Sequence, residues 1–178
     1  MADEPQPRDL EVVQRDDASP LFLTAPSGWN DPLTGMDGPH LWDRVISAET
    51  ARVKRYRRPA TVVLVNVAGL AAFADAWGAD VAERIFVRVA RTLAIEVRAS
   101  DHIARIDRSQ FGILLTETDE IAAINFVERA RAACEREVQA SDRLRVGIGW
   151  AMPTESTDLR GAIDTAGERV AADLQRRD

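Results

Sequence analysis

The residues able to do chemistry in this chain gather in one stretch. The stretch Arg98–Leu115 reads R-A-S-D-H-I-A-R-I-D-R-S-Q-F-G-I-L-L. It runs from a helix end into a strand, a tight polar turn and a second apolar strand, and it gathers Arg98, Asp101, Asp107, Arg108, Ser109 and Gln110. Other reactive residue types are sparse. Cys134, the only cysteine, lies in A-R-A-A-C-E-R on a helix. It reads as a small buried residue and excludes an internal disulfide or a cysteine-built metal cluster. His40 and His102 have no partner at metal-ligand spacing. Trp29, Trp42, Trp77 and Trp150 are too scattered for a stacking platform, and read as core or dimer surface.

The elements that must position that stretch follow from periodicity. A turn-rich lead-in, Asp31-Pro32-Leu33-Thr34-Gly35-Met36, precedes a helix over 39–57 with Trp42, Val45, Ile46 and Val53 on one face. That helix closes on Arg52, Lys54, Arg55, Arg57 and Arg58, a solvated basic end that complements the macrodipole. Ala60–Val67 is a β-branched apolar run, as expected of a strand buried on both faces. A short helix over 69–77 leads to a long one capped by Asp80 and ending near Arg98, with Val81, Ile85, Val89 and Leu93 at helical spacing. A hairpin follows (strands 102–106 and 111–115, turn Asp107–Gln110), then a helix over 118–138. Leu144, Val146, Ile148 and Trp150 alternate as a last strand, and a final helix spans 158–176. The β-α-β-β-α-β order predicts an α+β, ferredoxin-like fold with helices on one face of a mainly antiparallel sheet.

Composition sets the bounds. At 178 residues, 46% hydrophobic and 29% charged, the chain is a soluble globular domain with a tail. It has no membrane-length apolar run and no secretory leader, which points to the cytoplasm. Its net charge of −6 disfavours nucleic acid as a partner. Residues 1–28 carry −4 of this charge and four prolines, and read as a mobile acidic tail in which Leu21-Phe22-Leu23 could dock on the domain over 29–178. Lys54 is the only lysine.

From Asp31 onward the chain resembles the GGDEF domain of bacterial diguanylate cyclases. The resemblance rests on D-P-L-T-G at Asp31–Gly35, R-R-P with the buried strand at Arg57–Val67, A-R-I-x-x-x-x-F-x-I-L-L around the hairpin, and V-G-I-G-W-A at Val146–Ala151. It covers about four fifths of the chain. It implies the nucleotidyl-cyclase type of core, and an ancestry in which two divalent ions polarise GTP for attack by a 3′-hydroxyl, giving cyclic di-GMP.

Position by position, the implied catalytic set is missing. The signature Gly-Gly-Asp/Glu-Glu-Phe aligns with Asp107-Arg108-Ser109-Gln110-Phe111, so both glycines and both acids of the turn are replaced. The other metal-binding aspartate aligns with Asn66, the phosphate-binding lysine with Ala71, the base-binding asparagine with Ala74 and the base-binding aspartate with Glu83. In the last helix a second lysine becomes Leu174, and the family's N-R after L-T-G becomes Gly38-Pro39.

The family's inhibitory site is R-x-x-D five residues before the turn, with a helper arginine on the next helix. It corresponds to Arg98, Asp101 and Arg129. Such a cluster suits cyclic di-GMP, because arginine forks grip guanine O6 and N7 or phosphate, and a carboxylate accepts from guanine N1–H and N2–H. The expectation is a non-catalytic cyclic di-GMP receptor without cofactor or metal, with a protein partner or a homodimer as further possibilities. A nucleotide-independent interaction scaffold is the alternative, motivated by Ala68, Leu70, Ala71 and Ala74 where polar ligands would stand.

Overall fold

The structure is a computed structural model that describes residues 24–139 and 141–176. The acidic run and Leu21-Phe22-Leu23 lie outside the described residues. The element order is α1 (Pro39–Tyr56), β1 (Ala60–Ala68), α2 (Leu70–Trp77), α3 (Ala79–Glu96), β2 (His102–Asp107), β3 (Gln110–Thr116), α4 (Glu120–Val138), β4 (Arg145–Ala151) and α5 (Leu159–Gln175). The strands form one sheet in the order β2-β3-β1-β4 with every pairing antiparallel, the ferredoxin-like arrangement expected from the chain order.

The helices occupy both faces of that sheet, which corrects the expectation of a single covered face. Residues of β1 alternate, so Val63, Val65 and Val67 enter one core with Phe73, Phe86, Leu93 and Phe126 from α2, α3 and α4. Val62 and Leu64 enter a second core with Trp42 and Ile46 of α1 and Leu159, Ala162 and Val170 of α5. The crossover helices between strands cover the first face, as the motif requires. The helices before and after the motif cover the second. A β1 apolar on both faces needs both layers, so this pairing was implicit in its composition.

Helix ends carry a second correction. Asp80 does not cap α3. Gly78 ends α2 by donating its N–H to the Ala74 carbonyl and also starts α3, while Asp80 sits in the first turn, where its charge still favours the helix dipole. Asp119 and Asp158 do cap α4 and α5, accepting from Ala122 N and from Arg160 N and Gly161 N. At the basic end of α1, Arg52 pairs with Glu49 at 3.3 Å and Arg58 with Glu117 at 2.5 Å.

Both sheet edges are occupied. Along β2, Asp37 forms a parallel bridge to Ala104, and the Arg105 N–H donates to the Asp37 carbonyl at 2.9 Å. Along β4, the Ile148 N–H donates to Asp173 Oδ2 of α5 at 2.9 Å. Gly147 and Gly149 make this approach possible: a Cβ at Gly149 would meet the Ala166 carbonyl at 2.1 Å, and one at Gly147 would meet the Leu174 side chain at 2.5 Å. Among the described residues, no helix is long and apolar enough to cross a membrane.

Candidate nucleotide-binding site

The hairpin tip is built from β1, β2 and β3. Asn66 pairs in register with Gln110, and Asp107 also faces Gln110 after a bulge at Arg105–Asp107, leaving Arg108 and Ser109 as the connection. Among described non-glycine residues only Arg57 and Glu117 have positive φ, so the turn closes without the left-handed backbone that glycines would supply. Ser109 Oγ donates to Asn66 Oδ1 at 2.8 Å, and the Val67 N–H donates to the Ser109 carbonyl at 2.9 Å. One hydrogen bond thus joins the two half-buried neutral side chains across the gap between β1 and the turn. Asp107 is exposed and accepts from the Arg108 N–H at 2.7 Å, an arrangement local to the turn.

One strong contact of this region was not foreseen as a pair. The Arg105 side chain is buried (1% exposed), and its Nη1 donates to Asp31 Oδ1 at 3.0 Å. Nη2 donates to the carbonyls of Thr24 at 3.0 Å and Arg108 at 2.8 Å, and the guanidinium lies 5.2 Å from the centre of the Phe86 ring. Asp31 Oδ2 in turn accepts from the backbone N–H and hydroxyl of Thr34. This ties D-P-L-T-G to the hairpin tip. Both residues belonged to the quoted motifs, but nothing in their spacing of 74 positions identifies them as partners.

At the other end of β2 lie Asp101 and Arg98, with Arg129 on α4. Asp101, half-buried, accepts the Arg98 N–H on Oδ2 at 3.0 Å and the Thr116 N–H on Oδ1 at 3.1 Å. The link from Arg98 to Asp101 is thus a turn closed on backbone, and the Arg98 side chain is exposed. Arg129, exposed on α4, reaches the same end of α3: its Nε lies 3.3 Å from Glu96 Oε2, and its guanidinium lies 5.8 Å from the Phe126 ring centre. Beside Asp101 opens a cleft of ≈ 330 Å³, lined among others by Asp37, Arg91 and His102. Burial raises the Asp37 carboxyl above its ordinary pKa, partly offset by the nearby His102.

The remaining positions are dispersed. Ala71 is exposed, Ala74 packs partly against the first core, Leu70 is buried within it, and Glu83 is half-buried on α3. Leu174 packs against the second core. Among the described residues, no three His, Cys, Asp or Glu side chains gather into a group able to hold a metal ion. Cys134 is buried, and its thiol is pushed up to about 12, first by burial and then by Glu137, Glu96 and Glu135. Trp77 is 66% exposed, while Trp42 lies in the second core.

Comparison with known proteins agrees with this architecture. Residues 29–177 match the family model described as diguanylate cyclase, GGDEF domain. The probable diguanylate cyclase DgcC of Escherichia coli is 26% identical over 131 residues, covering 71% of this chain and 35% of that protein. Diguanylate cyclase DosC of Escherichia coli is 27% identical over 145 residues, covering 79% of this chain and 32% of that protein. The chain therefore spans about a third of the length of these curated relatives. In structure, the GGDEF domain of DgcB from Caulobacter crescentus, solved with c-di-GMP, superposes with a TM-score of 0.75 at 14% identity, over 84% of this chain and 91% of that one. Diguanylate cyclase SiaD of Pseudomonas aeruginosa, solved with its activator SiaC, gives 0.74 at 21% identity, over 85% and 60%. With its sheet order, its hairpin and a family match spanning nearly all described residues, the chain belongs to the GGDEF diguanylate cyclase domain family.

Proposed function

We propose that this domain does not make cyclic di-GMP but binds it, through Arg98, Asp101 and Arg129, as a receptor in bacterial second-messenger signalling. The observation that carries the reading is the neutral Ser109–Asn66 hydrogen bond of 2.8 Å at the hairpin tip. Cyclase chemistry needs anionic oxygen there to hold two dications against a triphosphate. A neutral hydroxyl bonded to a neutral amide oxygen supplies no such charge and does not fit that requirement, and no step is assigned to a metal. The exposed Ala71 and the core-packed Leu174 likewise offer no cation to the phosphates.

The α3–β2 turn retains what a guanine-containing anion needs. Each Asp101 oxygen holds one backbone N–H, and a carboxylate has further acceptor capacity for guanine N1–H and N2–H. Arg98 is exposed, and Arg129 reaches the site by exchanging an exposed contact with Glu96 for the ligand. A DgcB domain of the same fold was solved with c-di-GMP, which supports the ligand class.

A second reading, a scaffold independent of nucleotide, is favoured by one feature. Trp77, 66% exposed at the end of α2, stands on the helix that carries exposed Ala71 in place of polar ligands. Thermal unfolding separates the two. Cyclic di-GMP at about 100 times its dissociation constant should stabilise a receptor by roughly 2.7 kcal/mol. A scaffold shows no shift. Incubation with GTP and Mg²⁺ or Mn²⁺ should yield no cyclic dinucleotide. A product that disappears in Ser109→Ala would overturn the non-catalytic assignment.

A further inference from the structure

The outer edge of β4 carries a feature that neither the hairpin tip nor the α3–β2 turn uses. A groove of ≈ 370 Å³ runs between α4 and α5 with Ile148, Gly149 and Trp150 as its floor, within the ~300–1,000 Å³ range of small-molecule clefts. Arg131 lines it from α4, and Arg169 and Arg176 from α5. Three guanidiniums thus face one lining carboxylate, Asp173, on a chain whose net charge is −6. We propose that this groove is a second, independent anion site that takes a nucleoside monophosphate.

The groove is pre-organised. Asp173 is 6% exposed and accepts the Ile148 N–H. Its Oδ2 lies 2.9 Å from Arg131 Nη1, and its Oδ1 lies 3.7 Å from Arg176 Nη2. One buried carboxylate therefore orients two arginines without balancing the three, leaving the lining with an excess of positive charge. Glu135, 3.9 Å from Arg131 and 42% exposed, is the nearest further acid to that arginine. Arg169 donates to the Trp150 carbonyl at 2.5 Å and lies over the indole, 5.4 Å from its centre, a cation–π contact that holds the guanidinium in place.

Strand addition at this edge is disfavoured. The Ile148 N–H and the Trp150 carbonyl both point away from β1 and are already taken by α5 side chains. A compact anion displaces neither. Arginine forks match phosphate geometry, and the planar Arg169 guanidinium held over Trp150 can accept a base by stacking, which tolerates any base identity.

The test is calorimetric titration of the full chain with GMP, AMP, ribose 5-phosphate and inorganic phosphate. GMP and AMP are expected to bind about equally, each at least about tenfold more tightly than ribose 5-phosphate or phosphate, with affinity falling as salt rises. Arg169→Ala, at an exposed position, should weaken both nucleotides about tenfold or more while its circular dichroism stays that of the parent chain. Arg98→Ala should leave GMP binding unchanged, whatever it does to cyclic di-GMP. No heat with either nucleotide at millimolar concentration overturns the proposal. Equal affinity for phosphate and GMP overturns the nucleotide assignment, and loss of GMP binding in Arg98→Ala would place the ligand at the other site.

Discussion

At the tip of the β2–β3 hairpin, the Ser109 hydroxyl donates to the Asn66 amide oxygen across 2.8 Å, a bond between two neutral groups. At its base, Asp101 holds two backbone N–H groups with capacity to spare, with an exposed Arg98 and an exposed Arg129 that contacts Glu96 and the Asn125 carbonyl. Both ends belong to the same pair of strands and rest on the same first core. On the proposed reading, the neutral pair at the tip marks where making a nucleotide has been given up, and the exchangeable charge at the base marks where recognising one has not.

The largest way to break this comparison is to remove what both ends share. Arg105 on β2 is anchored by Asp31, so Asp31→Ala would leave a buried guanidinium without its counter-charge. About 3–5 kcal/mol of unfolding free energy should disappear in denaturant titration. A loss under ~1 kcal/mol would show that the carbonyls of Thr24 and Arg108 suffice to hold the strand.

Smaller effects sharpen each end in turn. Asp101→Ala removes a charged acceptor from the N–H groups of Arg98 and Thr116, and should cost about 1.5–3 kcal/mol together with cyclic di-GMP binding. If binding goes and stability stays, Asp101 is a ligand group alone. Asn66→Asp with Ser109→Glu puts two carboxylates where a neutral pair now stands. It should cost about 1–2 kcal/mol at neutral pH, recovered on acidification or on adding Mg²⁺, without restoring turnover. Unchanged stability would mean that the tip tolerates charge and is less closed than its hydrogen bond implies.

The core beneath both ends gives the smallest effect. The folded-state pKa of Cys134 is raised to about 12 from 9.0, so the fold favours the neutral thiol. The associated stability is complete below pH 9 and is lost as pH rises toward 12, by about 1.4 kcal/mol at pH 10. At pH 8 the thiol should react with aromatic disulfides only as fast as the protein opens, and Cys134→Ala should flatten the alkaline loss.

Much of this was legible in the sequence because it rests on local pattern. The β-branched run of β1, the helical spacing of Val81, Ile85, Val89 and Leu93, and the turn residues around Arg108-Ser109 each specify their element within a few positions. The choice of Arg98, Asp101 and Arg129 as candidate ligand residues came from the family resemblance and not from local pattern. Less was legible wherever distant residues meet. The Asp31–Arg105 pair and the Asp173–Arg131 pair join segments whose contact depends on the packed sheet. Asp80 misled because Gly78, with φ 96°, can end one helix and begin the next. The two-faced helix layer was missed because the motif describes only the crossovers, although the unbroken apolar run of β1 already demanded cover on both sides.

The most direct test of the central claim is calorimetric titration of the full chain with cyclic di-GMP, repeated on Arg98→Ala at the same ionic strength. Saturable binding is expected for the parent chain, with affinity falling at least about tenfold in the variant while its unfolding midpoint stays unchanged. No heat at high micromolar ligand, or equal affinity in the two proteins, would contradict it.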